Sequence, residues 1–94
     1  MAFSGKRILV TGSSRGIGYA TAAYFLSTGA RVAINGRTIA STTEGIKQLG
    51  GGDQLIAASG DVGTAAGCVS VVEAAAKGLG GLDILVNSAG VAYF

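Results

Sequence analysis

Residues 8–18 read Ile-Leu-Val-Thr-Gly-Ser-Ser-Arg-Gly-Ile-Gly, ILVTGSSRGIG. An apolar run, Arg7 to Val10, stops at Thr11-Gly12, and Gly12, Gly16 and Gly18 follow at unequal spacing with Arg15 among them. Beyond them Ile17, Ala20, Thr21, Tyr24 and Phe25 recur at i, i+3, i+4, i+7 and i+8, which is one face of a helix. The stretch is therefore a strand, a glycine turn and a helix opening near Arg15 or Gly16. Gly29 is the helix stop signal.

Downstream the chain repeats this alternation. Arg31 to Asn35 (RVAIN) reads as a second strand, with β-branched Val32 and Ile34. Thr38 to Leu49 is a weaker helix: Ser41 and Glu44 fit a capping box, while Gly45 argues against it, and Gly50, Gly51 and Gly52 end it. Gln54 to Ser59 (QLIAAS) is a third strand. Val69, Val72, Ala75, Ala76 and Leu79 then keep helical spacing, which predicts a helix over Thr64 to Lys77, closed by Gly78, Gly80 and Gly81. Asp83 to Asn87 is a fourth strand. The order βαβαβαβ implies an α/β fold, a doubly wound parallel sheet with helices on both faces. The runs ILV, VAI and ILV lack polar alternation, as strands covered on both faces do. Residues 1–94 form one domain, with no linker and no repeat beyond the βα period.

Composition narrows the classes of function. A chain 49% hydrophobic and 13% charged is ordered, not disordered. Seventeen glycines without proline point to tight turns and close backbone approaches. A net charge of +2 with no basic run argues for no nucleic acid and no membrane surface as partners. No apolar stretch reaches bilayer length, and MAFSGKR lacks the apolar core of a signal peptide, so a cytoplasmic address is expected. With no histidine and one cysteine, no metal site and no internal disulfide are expected, and Cys68 reads as a small core residue on a helix.

The turn after the first parallel strand faces the carboxyl ends of the strands, where ligands bind in such sheets. Glycines let the backbone approach a phosphate, and a helix N-terminus supplies free N–H groups of positive polarity. Gly12, Gly16 and Gly18 thus read as a pyrophosphate cradle. Their spacing is Gly-x-x-x-Gly-x-Gly, and no Gly-Lys-Ser/Thr follows, so this is not a nucleoside-triphosphate loop. A glycine turn needed only for tight strand-to-helix packing remains the competing reading.

Three marks now fall in order. TGSSRGIG (residues 11–18) resembles the TGxxxGIG cofactor loop of the short-chain dehydrogenase/reductase family. Asn87-Ser88-Ala89-Gly90, after the fourth strand, resembles that family's Asn-Asn-Ala-Gly, and Asp61-Val62 follows the third strand as in the family. The resemblance covers Lys6 to Val91 and corresponds to the first part of a family member. It implies a Rossmann-like fold and an oxidoreductase that transfers a hydride between a nicotinamide cofactor and a small-molecule carbonyl or alcohol. By the same resemblance Gly12, Gly16 and Gly18 wrap the pyrophosphate, with the Ile17 main chain near the nicotinamide-side phosphate. Asp61 would accept from the adenine amino group with Val62 beside the ring, although a helix N-terminal charge is another role for Asp61. Asn87, Ala89 and Gly90 would lie against adenosine and ribose, and Asn87 also suits a strand-end cap.

An acid that selects NAD lies about 20 residues past such a loop. Here that region reads Asn35-Gly36-Arg37, with no carboxylate. Arg37 and Arg15 suit the extra phosphate of NADP, and Ser14 and Asn35 could add neutral hydrogen bonds. NADP(H) is therefore expected over NAD(H), unless both arginines are solvated rim charges. Family members catalyse with a serine and a Tyr-x-x-x-Lys. Tyr19, Tyr24 and Tyr93 are not followed by lysine at that spacing, so no catalytic residue is assigned. The chain reads as truncated after the fourth strand, inactive by itself, and part of a homo-oligomer when full length. Two other readings stay open: a non-catalytic nucleotide-binding module, and an interaction protein that pairs through the edge of the fourth strand.

Overall fold

The computed structural model describes residues 3–88. Its elements are β1 (Arg7–Thr11), α1 (Gly16–Ser27), β2 (Arg31–Ile34), α2 (Ile39–Gln48), β3 (Leu55–Ala57), α3 (Ala65–Leu79) and β4 (Ile84–Asn87). The alternation is the expected one. The third strand is shorter than the sequence suggests, although the Val32 N–H still donates to Gln54 O and the Ala58 N–H to Ile34 O.

All strands are parallel, in the order β3-β2-β1-β4. The register sets Val10 beside Ile34 and Val86, and Thr11 beside Asn87. Successive side chains of a strand point to opposite faces. Ile8 and Val10 join Val32, Ile34 and Ala22 on the side of α1 and α2, whereas Leu9 and Ala33 join Val71, Ala75 and Leu79 under α3. Central strands need apolar residues at every position for that reason, and Ile8, Leu9 and Val10 are fully buried.

Four expectations fail and one holds in part. On α1 the buried residues are Gly18 and Ala22, while Ile17 is 75% and Tyr24 58% exposed. The helix is apolar around its circumference, so periodicity could not choose its face. Close approach chose instead: a Cβ at Gly18 would stand 2.1 Å from the Gly12 carbonyl oxygen. On α3 the expected face holds in part: Ala75 and Leu79 are buried beside Val71 and Val72 packs against them, but Val69 is exposed. Cys68, one residue earlier, is exposed and not a core residue. The capping box of α2 begins at Thr38, not Ser41: Thr38 Oγ1 accepts from the Ser41 N–H at 3.0 Å, and Ser41 Oγ accepts from the Thr38 N–H at 3.2 Å. The fourth strand is also not covered on both faces. Ile84 and Val86 pack toward the α1 side, but Leu85, on the α3 side, is 51% exposed.

At the end of the sheet where the strands begin, Arg7 clamps Asp83. Its Nε and Nη2 donate to Oδ2 and Oδ1 at 3.0 Å each, its own N–H donates to Oδ2 at 2.8 Å, and Nη1 reaches Gly80 O. The guanidinium holds the Asp83 carboxyl down to about 2. This fork fixes the β1–β4 register from the end opposite the loops discussed next.

Candidate functional site

Parallel strands joined by helices gather their β-to-α loops at one edge. There the structure has a cleft of about 1040 Å³. Its walls are the β1–α1, β2–α2 and β3–α3 loops, one side of α2 and the end of β4. That volume lies at the upper end of small-molecule sites, which run to about 1,000 Å³.

The β1–α1 loop turns on Gly12 and Gly16, at φ 62° and 67°. Both lie in the left-handed region that favours glycine. Nothing stands within 4 Å of where a Gly16 Cβ would be, so this backbone faces open space beside the cleft. Ser13 pins the loop from below. Its Oγ donates to Val10 O at 2.6 Å and accepts from the Asn35 N–H at 2.8 Å. Thr11 links the loop to β4: its Oγ1 donates to Asn87 Oδ1 at 2.9 Å and accepts from the Ser88 N–H at 3.1 Å. Ser88 Oγ donates back to Thr11 O.

The three helices start differently. Thr38 and Thr64 cap α2 and α3 by accepting from Ser41 and Gly67 N–H groups. Arg15, the N-cap of α1, offers no acceptor and makes no side-chain cap bond. Among the described residues the first-turn amides of α1 therefore have no side-chain cap, next to a cleft and with the positive end of the helix behind them.

Charge at the cleft is mixed. Arg15 and Arg37 line it and are exposed, as are two carboxylates, Glu44 and Asp61. Gln48 Nε2 donates to Glu44 Oε2 at 3.2 Å, and the Gly63 N–H donates to Asp61 Oδ1 at 2.8 Å. Glu44, a capping-box candidate in the sequence, was not expected at the cleft because it stands on α2, well past Arg37. Only the packing of that helix against the loop brings it in: a Cβ on Gly45 would lie 2.9 Å from Ser14 Cα.

Of the residues singled out in the sequence, Gly12, Ser14, Arg15, Gly16, Asn35, Arg37, Asp61, Val62 and Asn87 line this one cleft. Ile17 and Gly18 do not. Ile17 is exposed beyond the rim, and Gly18 is buried against Gly12 and Ser88. Ala89 and Gly90 lie outside the described residues. Asn35 is 2% exposed, and its carboxamide is engaged with the main chain of neighbouring loops, not directed at a ligand. The reading missed Thr11, Ser13 and Thr42. Thr42 is buried, and its Oγ1 accepts from the Gly36 N–H at 3.0 Å and donates to Thr38 O at 2.7 Å. Thr11 and Ser13 flank Gly12, which was their available signal, because loop amides in tight turns need local partners; Thr42 has no glycine neighbour. Among the described residues no group of three or more His, Cys, Asp and Glu side chains is placed to hold a metal, and no helix is long and apolar enough to cross a membrane.

Comparison with known proteins is consistent along the whole chain. The family model for short chain dehydrogenases matches residues 6–94. A glucose 1-dehydrogenase from Gluconobacter oxydans is 43% identical over 94% of this chain and 34% of its own length. Among solved structures, the glucose dehydrogenase of Caenorhabditis elegans in its apo form superposes with a TM-score of 0.80 at 38% identity, covering 98% of this chain and 40% of that one. The 3-ketoacyl-(acyl-carrier-protein) reductase from Brucella melitensis complexed with NADH gives a TM-score of 0.77 at 34% identity, covering 87% and 33%. The chain thus spans about a third of the length of the curated relatives it matches.

Proposed function

The chain belongs to the short-chain dehydrogenase family, and from that premise we propose that it supplies the cofactor-binding part of an NADP(H)-dependent oxidoreductase. The reaction proposed is hydride transfer between the nicotinamide and a small carbonyl or alcohol. The observation that carries this is the start of α1: an uncapped helix N-terminus behind a glycine loop, opening on a cleft of dinucleotide size. An anion placed there gains roughly 0.3–1 kcal/mol from the helix, and up to ~2 kcal/mol when partly buried. Gly12 and Gly16 would admit the diphosphate, with Ile17 beside it and Gly18 keeping α1 close enough to present its amides. Asp61 and Val62 would hold the adenine, and Asn87, Ala89 and Gly90 the adenosine side.

The preference for NADP(H) rests on Arg15, Arg37 and Ser14 at the cleft rim, where two guanidinium groups can fork a 2′-phosphate. One solved neighbour is complexed with NADH, so the preference is argued from these side chains and not from the fold. Glu44, a carboxylate in the same cleft, opposes a second phosphate. No residue of this chain is assigned to proton transfer. The nicotinamide would donate or accept the hydride when bound, and these residues would bind and orient it. Titration with NADP⁺ and NAD⁺ tests the reading. NADP⁺ should bind more tightly, and Arg37→Asp should erase or invert the difference. Equal affinities, or an unchanged preference in Arg37→Asp, would overturn it.

A further inference from the structure

Asn35 ends the β2 run, where a strand of the core would be expected to finish in a solvated residue. It is instead buried. Its Oδ1 accepts from the Gly12 N–H at 2.9 Å, in the β1–α1 loop. Its Nδ2 donates to Ala58 O at 2.8 Å and to Gly60 O at 3.1 Å, both in the β3–α3 connection. Its main chain adds two more ties to the glycine loop: its N–H donates to Ser13 Oγ, and its C=O accepts from the Ser13 N–H, at 2.8 Å each. One planar group thus needs an acceptor on one side and two donors on the other. A primary carboxamide has that set. A carboxylate lacks the donors, a hydroxyl lacks the reach, and a hydrocarbon lacks both. The partners also fix which way the amide points, because reversing it would face Nδ2 with an N–H and Oδ1 with two carbonyls.

We propose that Asn35 is a positioning residue whose buried carboxamide locks the glycine loop to the Asp61 loop and sets the separation between them. The inference rests on the cofactor reading above, in which the diphosphate lies on the first loop and the adenine on the second. A ligand that spans both loops gains from having their spacing fixed before it arrives. A ligand that touches one loop does not. Asn35 touches neither part of such a ligand. It acts through Gly12 and Gly60.

The test compares NADP⁺, which spans both loops, with adenosine, which engages the Asp61 loop and the end of β4 but not the glycine loop. Dissociation constants are measured for the wild type and for two neutral variants, Asn35→Leu and Asn35→Ser, with the folded fraction checked by thermal melts. Both variants should lose about tenfold or more in NADP⁺ affinity while adenosine changes by less than about threefold. A role confined to fold stability would lower the melting temperature and leave that ratio untouched. Equal losses for the two ligands, or no loss, overturn the proposal. Where neither variant folds, amide exchange on the wild type decides it. The Gly12 N–H and the two Asn35 Nδ2 protons should be protected like strand amides, and exchange at the rate of exposed loop protons overturns the lock. Wild-type protein that binds neither ligand removes the cofactor reading and the inference with it. Wild-type binding with an unaltered ratio in the variants removes the inference alone.

Discussion

Replacing Gly67 by alanine puts a methyl group where the Asp61 carbonyl oxygen already stands. The new Cβ would lie 1.9 Å from that oxygen, 2.8 Å from its carbon and 2.8 Å from Thr64 Oγ1. Two of these atoms are backbone, so no side chain can swing aside, and α3 must back away from the Asp61 loop by more than an ångström. In an exposed helix interior the same exchange gains about 1 kcal/mol. Overpacking costs roughly 1–3 kcal/mol. The shift also loosens the Thr64 cap, whose bond from the Gly67 N–H is 2.9 Å, and a cap contributes about 1 kcal/mol. The net loss expected is about 1–3 kcal/mol, which for a chain of this size lowers the melting temperature by about 4–8 °C per kcal/mol. Gly78→Ala, on the same helix, is the control. There the Cβ meets Ile56 Cδ1 at 2.6 Å, the far end of a flexible side chain that can turn away. Gly78→Ala should therefore be close to neutral. Thermal melts of the two variants decide the matter, and equal melting temperatures would refute the packing argument.

Three other outcomes are expected. Gly16→Ala should cost about 1–2 kcal/mol for the left-handed backbone while weakening NADP⁺ about tenfold, because its methyl projects into the open space beside α1; unchanged binding by calorimetry would count against a phosphate at that loop. Asp83 titrates near 2 in the fold, below its ordinary 3.8. Its clamp therefore contributes fully above about pH 4, and that contribution is lost as pH falls toward 2; Asp83→Asn should flatten the stability profile in that window, and an unchanged slope in acid melts would contradict the assignment. Cys68, exposed on α3, should react with a thiol reagent in native protein at a rate close to that in denaturant, and slow native labelling would mean the helix face is covered.

Most of the architecture was legible in the sequence because each βα unit carries its own punctuation. Glycines at 12, 16, 29 and 50–52 mark the turns, and unbroken apolar runs mark strands covered on both sides. Which face of a helix turns inward was less legible. Hydrophobic periodicity needs a polar side to contrast with, and α1 offers little. Gly18 and Ala22 are buried because α1 approaches the loop and sheet closely, a distance that no hydropathy pattern encodes. At the cleft, the residues that meet ligands in related sheets could be found from motif spacing. The residues that hold those loops could not. Ser13, Thr42 and the inward turn of Asn35 are consequences of three loops meeting, and each satisfies a main-chain group belonging to a neighbour remote in sequence or a turn away.

The net charge of +2 conceals a division. Of the seven basic residues, only Arg15 and Arg37 line the cleft, and there they face Glu44 and Asp61. Arg7 is tied to Asp83 at the other end of the sheet, and Arg31 donates to Leu79 O at the close of α3. Four residue steps of strand separate Arg7 from Thr11, about 13 Å at the rise of a strand. That is longer than the screening length of physiological salt, about 8 Å. With two cations and two anions at its rim, the mouth has no long-range field with which to steer an anionic dinucleotide toward it. For the cofactor proposed above, arrival would then be by unsteered collision, at a rate nearly indifferent to ionic strength. Discrimination would be confined to the last few ångströms, where helix amides and guanidinium groups are close enough to act.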